Sequence, residues 1–158
     1  MLVKVIAVGK LKEPGYSLAA AEYAKRLSRY CKLELVEVPD EKDPKAASPQ
    51  LIARAMDAEA ERILAYIRPA DVVVALVIEA SQLDSESFSR KIADWHARSA
   101  EVVFVIGGSL GLGGALLRRA NEQLSFSSMT FPHQLARVML LEQLYRSYKI
   151  ISGERYHK

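Results

Sequence analysis

Apolar and polar residues recur along this chain with two periodicities, which predict short strands and amphipathic helices in alternation. Short apolar or alternating runs predict four strands, at residues 2–8, 33–38, 72–78 and 102–106. Apolar positions at helical spacing predict five helices, at about residues 16–30, 48–67, 85–97, 115–122 and 132–149. This alternation predicts an α/β fold in which helices cover both faces of a largely parallel sheet.

Local signals refine the pattern between these elements. Ser48 and Pro49 form a favourable helix start, because serine accepts free amides and proline is tolerated in the opening turn. The charged stretch 40–48 predicts a surface loop. The uncharged stretch 124–131 has strong β character.

The last helix carries more apolar side chains than one helix usually presents to its own core. They are Leu135, Val138, Met139, Leu140, Leu141, Leu144, Tyr145 and Tyr148. A homodimer interface would cover the surplus. The alternative is deep burial of this helix within a single subunit.

Length and composition indicate one globular domain, residues 1–158. Half of the 158 residues are apolar and 26% are charged, which is enough to build a core. Cys31 has no partner for an internal disulfide, and no secretion signal or membrane-spanning run is found, so we expect a cytoplasmic protein. One cysteine and three histidines lack the paired spacing of a zinc site, so no metal is expected.

The formal net charge of +3 arises entirely in the C-terminal stretch. Between Pro132 and Lys158 five basic residues stand against two glutamates, and two histidines and three tyrosines lie among them. Basic groups interleaved with aromatic rings are suited to phosphate contact and base stacking. The alternative is a solvated final helix followed by a frayed tail.

The candidate pocket lies beyond the carboxyl ends of the strands, where open parallel sheets bind their ligands. Residues 104–117 and 124–132 contain no charged side chain, and residues 107–114 hold five of the eight glycines, which let backbone groups approach a ligand. The loop lacks the Gly-Lys-Ser/Thr end of a P-loop, so the pattern favours a nucleoside or a cationic ligand over a polyphosphate. The alternative is a tight turn that only joins strand and helix.

Several longer strings carry a more specific pattern. They are residues 5–12 (VIAVGKLK), 104–112 (FVIGGSLGL), 124–133 (LSFSSMTFPH), Arg137, 142–146 (EQLYR) and 156–158 (YHK). Together they resemble the bacterial ribosomal RNA large subunit methyltransferase H family, whose members are small SPOUT-class enzymes. One departure is that Val77, Ala80 and Ser81 stand where the family usually has an acidic residue and a Gly-Lys pair.

This resemblance implies a fold, a reaction and a cofactor site. It implies a C-terminal trefoil knot, a homodimer, and methyl transfer from S-adenosylmethionine to N3 of a pseudouridine in the 23S rRNA of the assembled ribosome. The family's cofactor contacts fall by position on Leu76, Gly107, Phe126, Ser127, Ser128, Met129, Thr130 and Phe131. No metal is needed for this reaction.

Removal of the N3 proton requires a base, and three residues are candidates for it. They are His133, Glu142 and His157. Each also has a plain structural alternative, because His133 can cap the last helix, Glu142 can pair with Arg146, and His157 can lie in a disordered tail.

Contact with RNA is expected from basic and aromatic residues of the C-terminal stretch. They are Arg137, Arg155, Tyr156 and His157, which are also expected to complete the pocket of a partner subunit. Two other functions remain open. A non-catalytic ribosome-binding factor needs the basic stretch without the pocket, and a Rossmann-type oxidoreductase needs a dinucleotide fingerprint where this chain has residues 9–13 (GKLKE).

Overall fold

A computed structural model describes residues 1–42, 48–99 and 101–158 of the chain. Within these residues the elements follow in the order β1 (Leu2–Val8), α1 (Pro14–Leu27), β2 (Lys32–Val38), α2 (Pro49–Leu64), β3 (Val72–Leu76), α3 (Ser85–Arg98), β4 (Glu101–Ile106), α4 (Gly114–Arg119), β5 (Glu122–Leu124) and α5 (His133–Ile151). The strands form one sheet in the order β2-β1-β4-β3-β5, and every neighbouring pair is parallel. The predicted α/β class is therefore confirmed.

Two hydrophobic layers cover the two faces of the sheet. On one face, alternate residues of β1, β3 and β4 pack with side chains of α1, α3 and α5, including Trp95 and Tyr148. On the other face, the intervening residues pack with α2 and α4, including Ile63 and Leu116. β4 lies at the centre of the sheet and is buried along its whole length, which explains its continuous apolar run.

The start of α2 follows the predicted capping chemistry. The Ser48 side chain accepts a hydrogen bond from the Leu51 amide at 3.2 Å, and Pro49 occupies the first turn. The loop predicted at 40–48 is described only in part, because residues 43–47 lie outside the described residues.

The prediction of a helix over 115–122 is wrong at its end. α4 stops at Arg119, because Asn121 turns the chain onto β3: its amide donates to the Val73 carbonyl, and its side chain accepts from the Val73 amide, both at 2.8 Å. Glu122 then begins β5 rather than ending a helix.

The β character predicted for 124–131 is realised only at its first residue. Beyond Leu124 the ladder continues as a single bridge between Gln82 and Ser125. The serines then bond to the nearby backbone, since the Ser125 hydroxyl donates to the Ser127 carbonyl and the Ser127 hydroxyl accepts from the Met129 amide. Such local bonds compete with strand pairing, so the segment forms an irregular loop.

α5 lies against both α1 and α3, and this packing accounts for part of its apolar surplus. Leu140, Leu141, Leu144 and Tyr148 are buried in the core of the single chain. Leu135, Val138 and Met139 remain partly exposed, and Leu18 on neighbouring α1 is 74% exposed. The homodimer stays a prediction. In the described part of the chain, no helix has the length and apolar character needed to cross a membrane.

Candidate functional site

A cavity of about 660 Å³ opens at the carboxyl edge of the sheet. Its walls come from the loop after β3, the glycine-rich loop after β4, and the segment between β5 and α5. These are the three uncharged or strand-end segments that the sequence singled out. Its size is within the usual range for small-molecule sites.

Most residues predicted to contact a cofactor line this cavity together. They are Leu76, Gly107, Phe126, Ser127, Met129, Thr130 and Phe131. Ser128 belongs to the same loop but is not part of the lining. Met129 is 72% exposed, which places it at the rim. Contact between these residues and a cofactor stays a prediction.

Two glycines shape the wall that follows β4. A Cβ atom on Gly107 would lie 3.0 Å from the backbone carbon of Gly111 and 3.0 Å from Leu112 Cδ2, so only glycine fits without displacing the loop. Gly111 has φ of +82°, a conformation that other residues adopt only with strain. The result is a tight loop, closed by a hydrogen bond of 3.1 Å from the Gly111 amide to the Gly108 carbonyl. The backbone of these glycines forms part of the cavity lining.

The lining of the cavity includes one acidic residue, Glu79, which is exposed. Neither lysine nor arginine is part of its lining within the described chain, whereas Glu79 is, and His133 lines the other side. The sequence analysis missed Glu79, although its position directly after the third predicted strand was a usable signal. A carboxylate at this place favours a ligand that carries positive charge or hydroxyl donors.

The loop that departs from the family pattern is held in place by its neighbours. The Val77 amide donates to the Leu124 carbonyl at 2.9 Å, and the Ser81 carbonyl accepts from the Ser125 amide at 3.0 Å. The loop after β3 and the segment after β5 are therefore joined along one side of the cavity. These hydrogen bonds form with Val77, Ala80 and Ser81 in the loop, since the two that join it use backbone groups.

Helical residues complete the cavity, and the sequence analysis missed these as well. Met56 of α2, Leu117 of α4 and Ala136 of α5 all contribute to the lining. Helical periodicity marked the apolar faces of these helices but gave no sign that Met56, Leu117 and Ala136 reach the strand-end loops. These three residues add apolar groups to the lining.

A second cavity of about 760 Å³ lies beside the first and shares Leu124, Ser125 and Phe126 with it. Glu142 and His157 line this second cavity, whereas His133 lines the first. The three candidate bases therefore lie on two sides of Phe126. No pair of them forms a hydrogen bond among the described residues.

Glu142 is held by several donors. Its carboxylate accepts hydrogen bonds from Arg146 at 2.6 Å, from the Gln143 side chain at 2.8 Å and from the Tyr156 hydroxyl at 3.2 Å. Partial burial and the neighbouring Glu142 raise the pKa of Tyr156, which keeps this hydroxyl protonated as a donor. The pairing of Glu142 with Arg146, weighed above as an alternative, is present in the structure.

The C-terminal tail folds back on α5 through this cluster. The Tyr156 ring packs against Tyr145 at 4.9 Å between centroids, and the Arg146 guanidinium lies 4.7 Å from the centre of the Tyr156 ring. His157 Nδ1 lies 3.4 Å from the same guanidinium. Tyr156 and His157 therefore have defined positions rather than belonging to a frayed end.

Arg155 lies between two anchored residues of the tail. On one side, Glu154 accepts from Lys149 and from the Tyr30 hydroxyl, which is 2.7 Å away. On the other side, Tyr156 is fixed as described above. Arg155 itself is exposed, and contact between it and RNA stays a prediction.

Arg137, expected to contact RNA, is only 6% exposed. Its guanidinium donates to Glu37 at 2.6 Å and to the carbonyls of Val8 and Gly9. Burial alone would raise the pKa of Glu37, but the bonds from Arg137 and the Leu11 amide outweigh it and keep this pKa below its usual value. The placement indicates that Arg137 joins α5 to the ends of β1 and β2, and RNA contact by Arg137 stays a prediction.

Comparison with known proteins gives similarity over the whole chain. Residues 1–157 match a family model described as "Predicted SPOUT methyltransferase". Among curated proteins, the chain is 52% identical to a ribosomal RNA large subunit methyltransferase H from Bifidobacterium animalis subsp. lactis, 54% identical to that of Bifidobacterium adolescentis and 48% identical to that of Clostridium kluyveri. Each alignment covers 100% of this chain and 100% of the relative.

Proposed function

Because the chain belongs to the SPOUT methyltransferase family, whose members are enzymes that transfer methyl groups, we propose that it methylates large-subunit ribosomal RNA. The proposed donor is S-adenosylmethionine, and the proposed target is N3 of a pseudouridine in the 23S rRNA of the assembled ribosome. The observation that carries the proposal is the cavity at the carboxyl edge of the sheet. Its lining includes the glycine-rich loop and Glu79 but, within the described chain, neither lysine nor arginine.

The residues of the cavity fit the proposed donor in shape and charge. S-adenosylmethionine, when bound, supplies a methyl group attached to a positively charged sulfur. Gly107, Gly108 and Gly111 contribute backbone atoms to the lining, and Phe126 and Phe131 offer apolar surface. Glu79 provides the negative charge that a sulfonium or a ribose hydroxyl would favour, whereas a lysine or arginine would repel the bound donor.

The main task of the chain is to hold the target nitrogen in line with the methyl group and to accept its proton. A neutral imide nitrogen is a poor nucleophile, so both placement and proton removal contribute to the rate. Glu142 is a poor acceptor because Arg146, Gln143 and Tyr156 already occupy its oxygens. The imidazoles of His133 and His157 are the better candidates, since each lines one of the two adjoining cavities.

The C-terminal tail is proposed to contact the ribosomal RNA. His157 lines the second cavity, and Tyr156 donates to Glu142 of the same lining. Arg155 precedes them in the part of the chain where the excess positive charge is found. The anchors at Glu154 and Tyr156 hold Arg155 close to α5, so little ordering is required when RNA binds.

A homodimer and a knotted C-terminal region are part of the same proposal. The partly exposed apolar residues of α5, together with exposed Leu18 on α1, offer a face for a second copy of the chain. We further propose that the tail of one subunit completes the pocket of its partner. The trefoil knot is proposed from membership of the family.

Nucleoside mass spectrometry of 23S rRNA tests the proposed function. The rRNA would be isolated from cells that lack the gene and carry either the wild-type chain, His133→Ala, His157→Ala or Glu142→Gln. We expect N3-methylpseudouridine with the wild type, its loss with one histidine variant, and substantial retention with Glu142→Gln. Unmethylated rRNA in the wild-type strain, with the protein present in normal amount, would refute the proposal.

A binding measurement separates the enzyme from a non-catalytic ribosome-binding factor. Calorimetric titration with S-adenosylmethionine should show saturable binding to the wild-type chain. A factor that only binds ribosomes would show RNA binding without any binding of the methyl donor.

A further inference from the structure

The backbone of the loop between β1 and α1, residues 9–13, is held by hydrogen bonds to other parts of the chain. The Leu11 amide donates to Glu37 Oε2 at 2.6 Å, and the amides of Lys12 and Glu13 donate to Gln134 Oε1 at 3.0 and 3.1 Å. These bonds join the loop to β2 and to the first turn of α5. Three consecutive amides of a surface loop are thus engaged by side chains from distant parts of the chain.

Bonds to the ends of the loop complete this arrangement. The Gly9 amide donates to the Val38 carbonyl at 2.8 Å, and the Gly9 carbonyl accepts from buried Arg137. The Ser17 hydroxyl donates to the Leu11 carbonyl at 3.1 Å. The backbone of this loop is therefore ordered before any ligand binds.

Two neighbours of the loop, Val8 and Gln134, connect it to residues that line the candidate cavity. Val8, the residue before the loop, lies against Gly108 of the cavity wall, because a Cβ atom on Gly108 would be 3.1 Å from Val8 Cγ1. Gln134, which binds two amides of the loop, directly follows His133 of the opposite wall. The loop is thus part of the same sheet edge as the cavity mouth.

The fastened loop presents two ammonium groups. Lys10 and Lys12 are both exposed, and neither forms an ion pair within 4.0 Å in the described residues. The nearby carboxylate of Glu37 is already matched by Arg137. Single exposed lysines are common on protein surfaces, but two on an ordered loop beside a ligand cavity are suited to binding an anion, because the backbone entropy is already lost.

We propose that Lys10 and Lys12 bind the sugar–phosphate backbone of the RNA beside the nucleotide that enters the site. This inference rests on the proposed function, because it takes RNA as the substrate. Lysine contacts to phosphate position an RNA without reading its bases, so the loop sets the approach of the substrate rather than its sequence. The basic C-terminal tail would then hold the RNA from the second cavity while the loop holds it from the first.

The test compares the double variant Lys10→Ala/Lys12→Ala with two controls. Lys10→Arg/Lys12→Arg keeps both charges, and Lys32→Ala removes an exposed lysine at the start of β2, on the opposite edge of the sheet. Binding of the fluorescently labelled protein to assembled ribosomes is measured by anisotropy over a series of salt concentrations, and calorimetry gives the affinity for S-adenosylmethionine.

We expect the double alanine variant to bind RNA more weakly and to lower the slope of log affinity against log salt by roughly 1.4 to 1.8. Its affinity for S-adenosylmethionine should match the wild type, and both controls should retain the wild-type salt slope. If the wild-type chain binds RNA and the double alanine variant shows the same salt slope, this inference is overturned but the proposed function is not. Absence of RNA binding by the wild-type chain would overturn the proposed function together with it.

Discussion

Replacing Gly107 by alanine is a direct perturbation of the cavity wall. The new methyl group would lie 3.0 Å from the backbone carbon of Gly111 and 3.0 Å from Leu112 Cδ2. The Leu112 side chain can rotate away, but the Gly111 backbone is held by its bond to Gly108. The loop itself must therefore move by a few tenths of an ångström.

The size of the effect follows from two opposing contributions. Overpacking costs about 1–3 kcal/mol, and alanine recovers up to about 1 kcal/mol by restricting the unfolded chain. The two contributions leave a net loss of about 0–3 kcal/mol. The middle of this range, roughly 1–2 kcal/mol, corresponds to a Tm lower by about 2–8 °C in a domain of this size. A displaced loop that loses one backbone hydrogen bond to the cofactor would weaken its binding roughly two- to tenfold.

Thermal unfolding and calorimetric titration with S-adenosylmethionine measure these two effects. Gly15→Ala is the matched control, because a Cβ atom on Gly15 in the first turn of α1 meets nothing within 4 Å. We expect Gly15→Ala to keep the wild-type affinity with an equal or higher Tm. If Gly107→Ala behaved in the same way as Gly15→Ala in both assays, the tight fit of the glycine-rich loop and its role in binding would be refuted.

Three further predictions address packing, pH and assembly. Arg137→Met should lower the free energy of unfolding by at least about 2 kcal/mol in urea titrations, because it leaves the carbonyls of Val8 and Gly9 unpartnered; unchanged stability with weaker RNA binding would instead indicate an RNA contact. Burial lowers the pKa of His96 below its ordinary 6.5, so the unfolded chain binds a proton that the folded chain does not. The free energy of unfolding should therefore fall as the pH drops from 7 through 6.5, and His96→Gln should flatten this dependence; an identical pH profile would exclude His96 as its source. Leu18→Glu should shift sedimentation from dimer toward monomer, whereas a wild-type chain that sediments as a monomer would contradict the proposed homodimer.

The fold was largely predictable from the sequence, because four of the five strands, β1 to β4, each carry their own signal. β4 is covered on both faces and reads as an unbroken apolar run, while β2 at the edge reads as an alternating one. The end of α4 was not predictable, because it depends on Asn121 bonding to Val73, which is distant in the sequence. The serine-rich loop after β5 was predicted to have β character because its residues have high β propensity. Its serine hydroxyls instead form hydrogen bonds with the nearby backbone.

The position of the cavity could be predicted from a general rule about parallel sheets, whereas the positions of the charged residues around it could not. Parallel strands place their carboxyl ends at one edge of the sheet, where ligands bind. The uncharged glycine-rich loop follows one of these ends, which identified it as part of the pocket. The position of Arg137 could not be inferred, because its partner Glu37 is 100 residues away and both lie in ordinary polar positions of the sequence. The methyl donor and the RNA target came from resemblance to a family rather than from the pattern of residues.

Hydrogen exchange measured with and without S-adenosylmethionine shows whether the first cavity holds the methyl donor. We expect slower exchange on binding at residues 76–79, 106–112 and 126–133, the three segments that line this cavity. We expect no comparable change at the start of β2 or the end of α1. Protection confined to those distant segments, or no protection at a saturating concentration of S-adenosylmethionine, would contradict binding at this cavity.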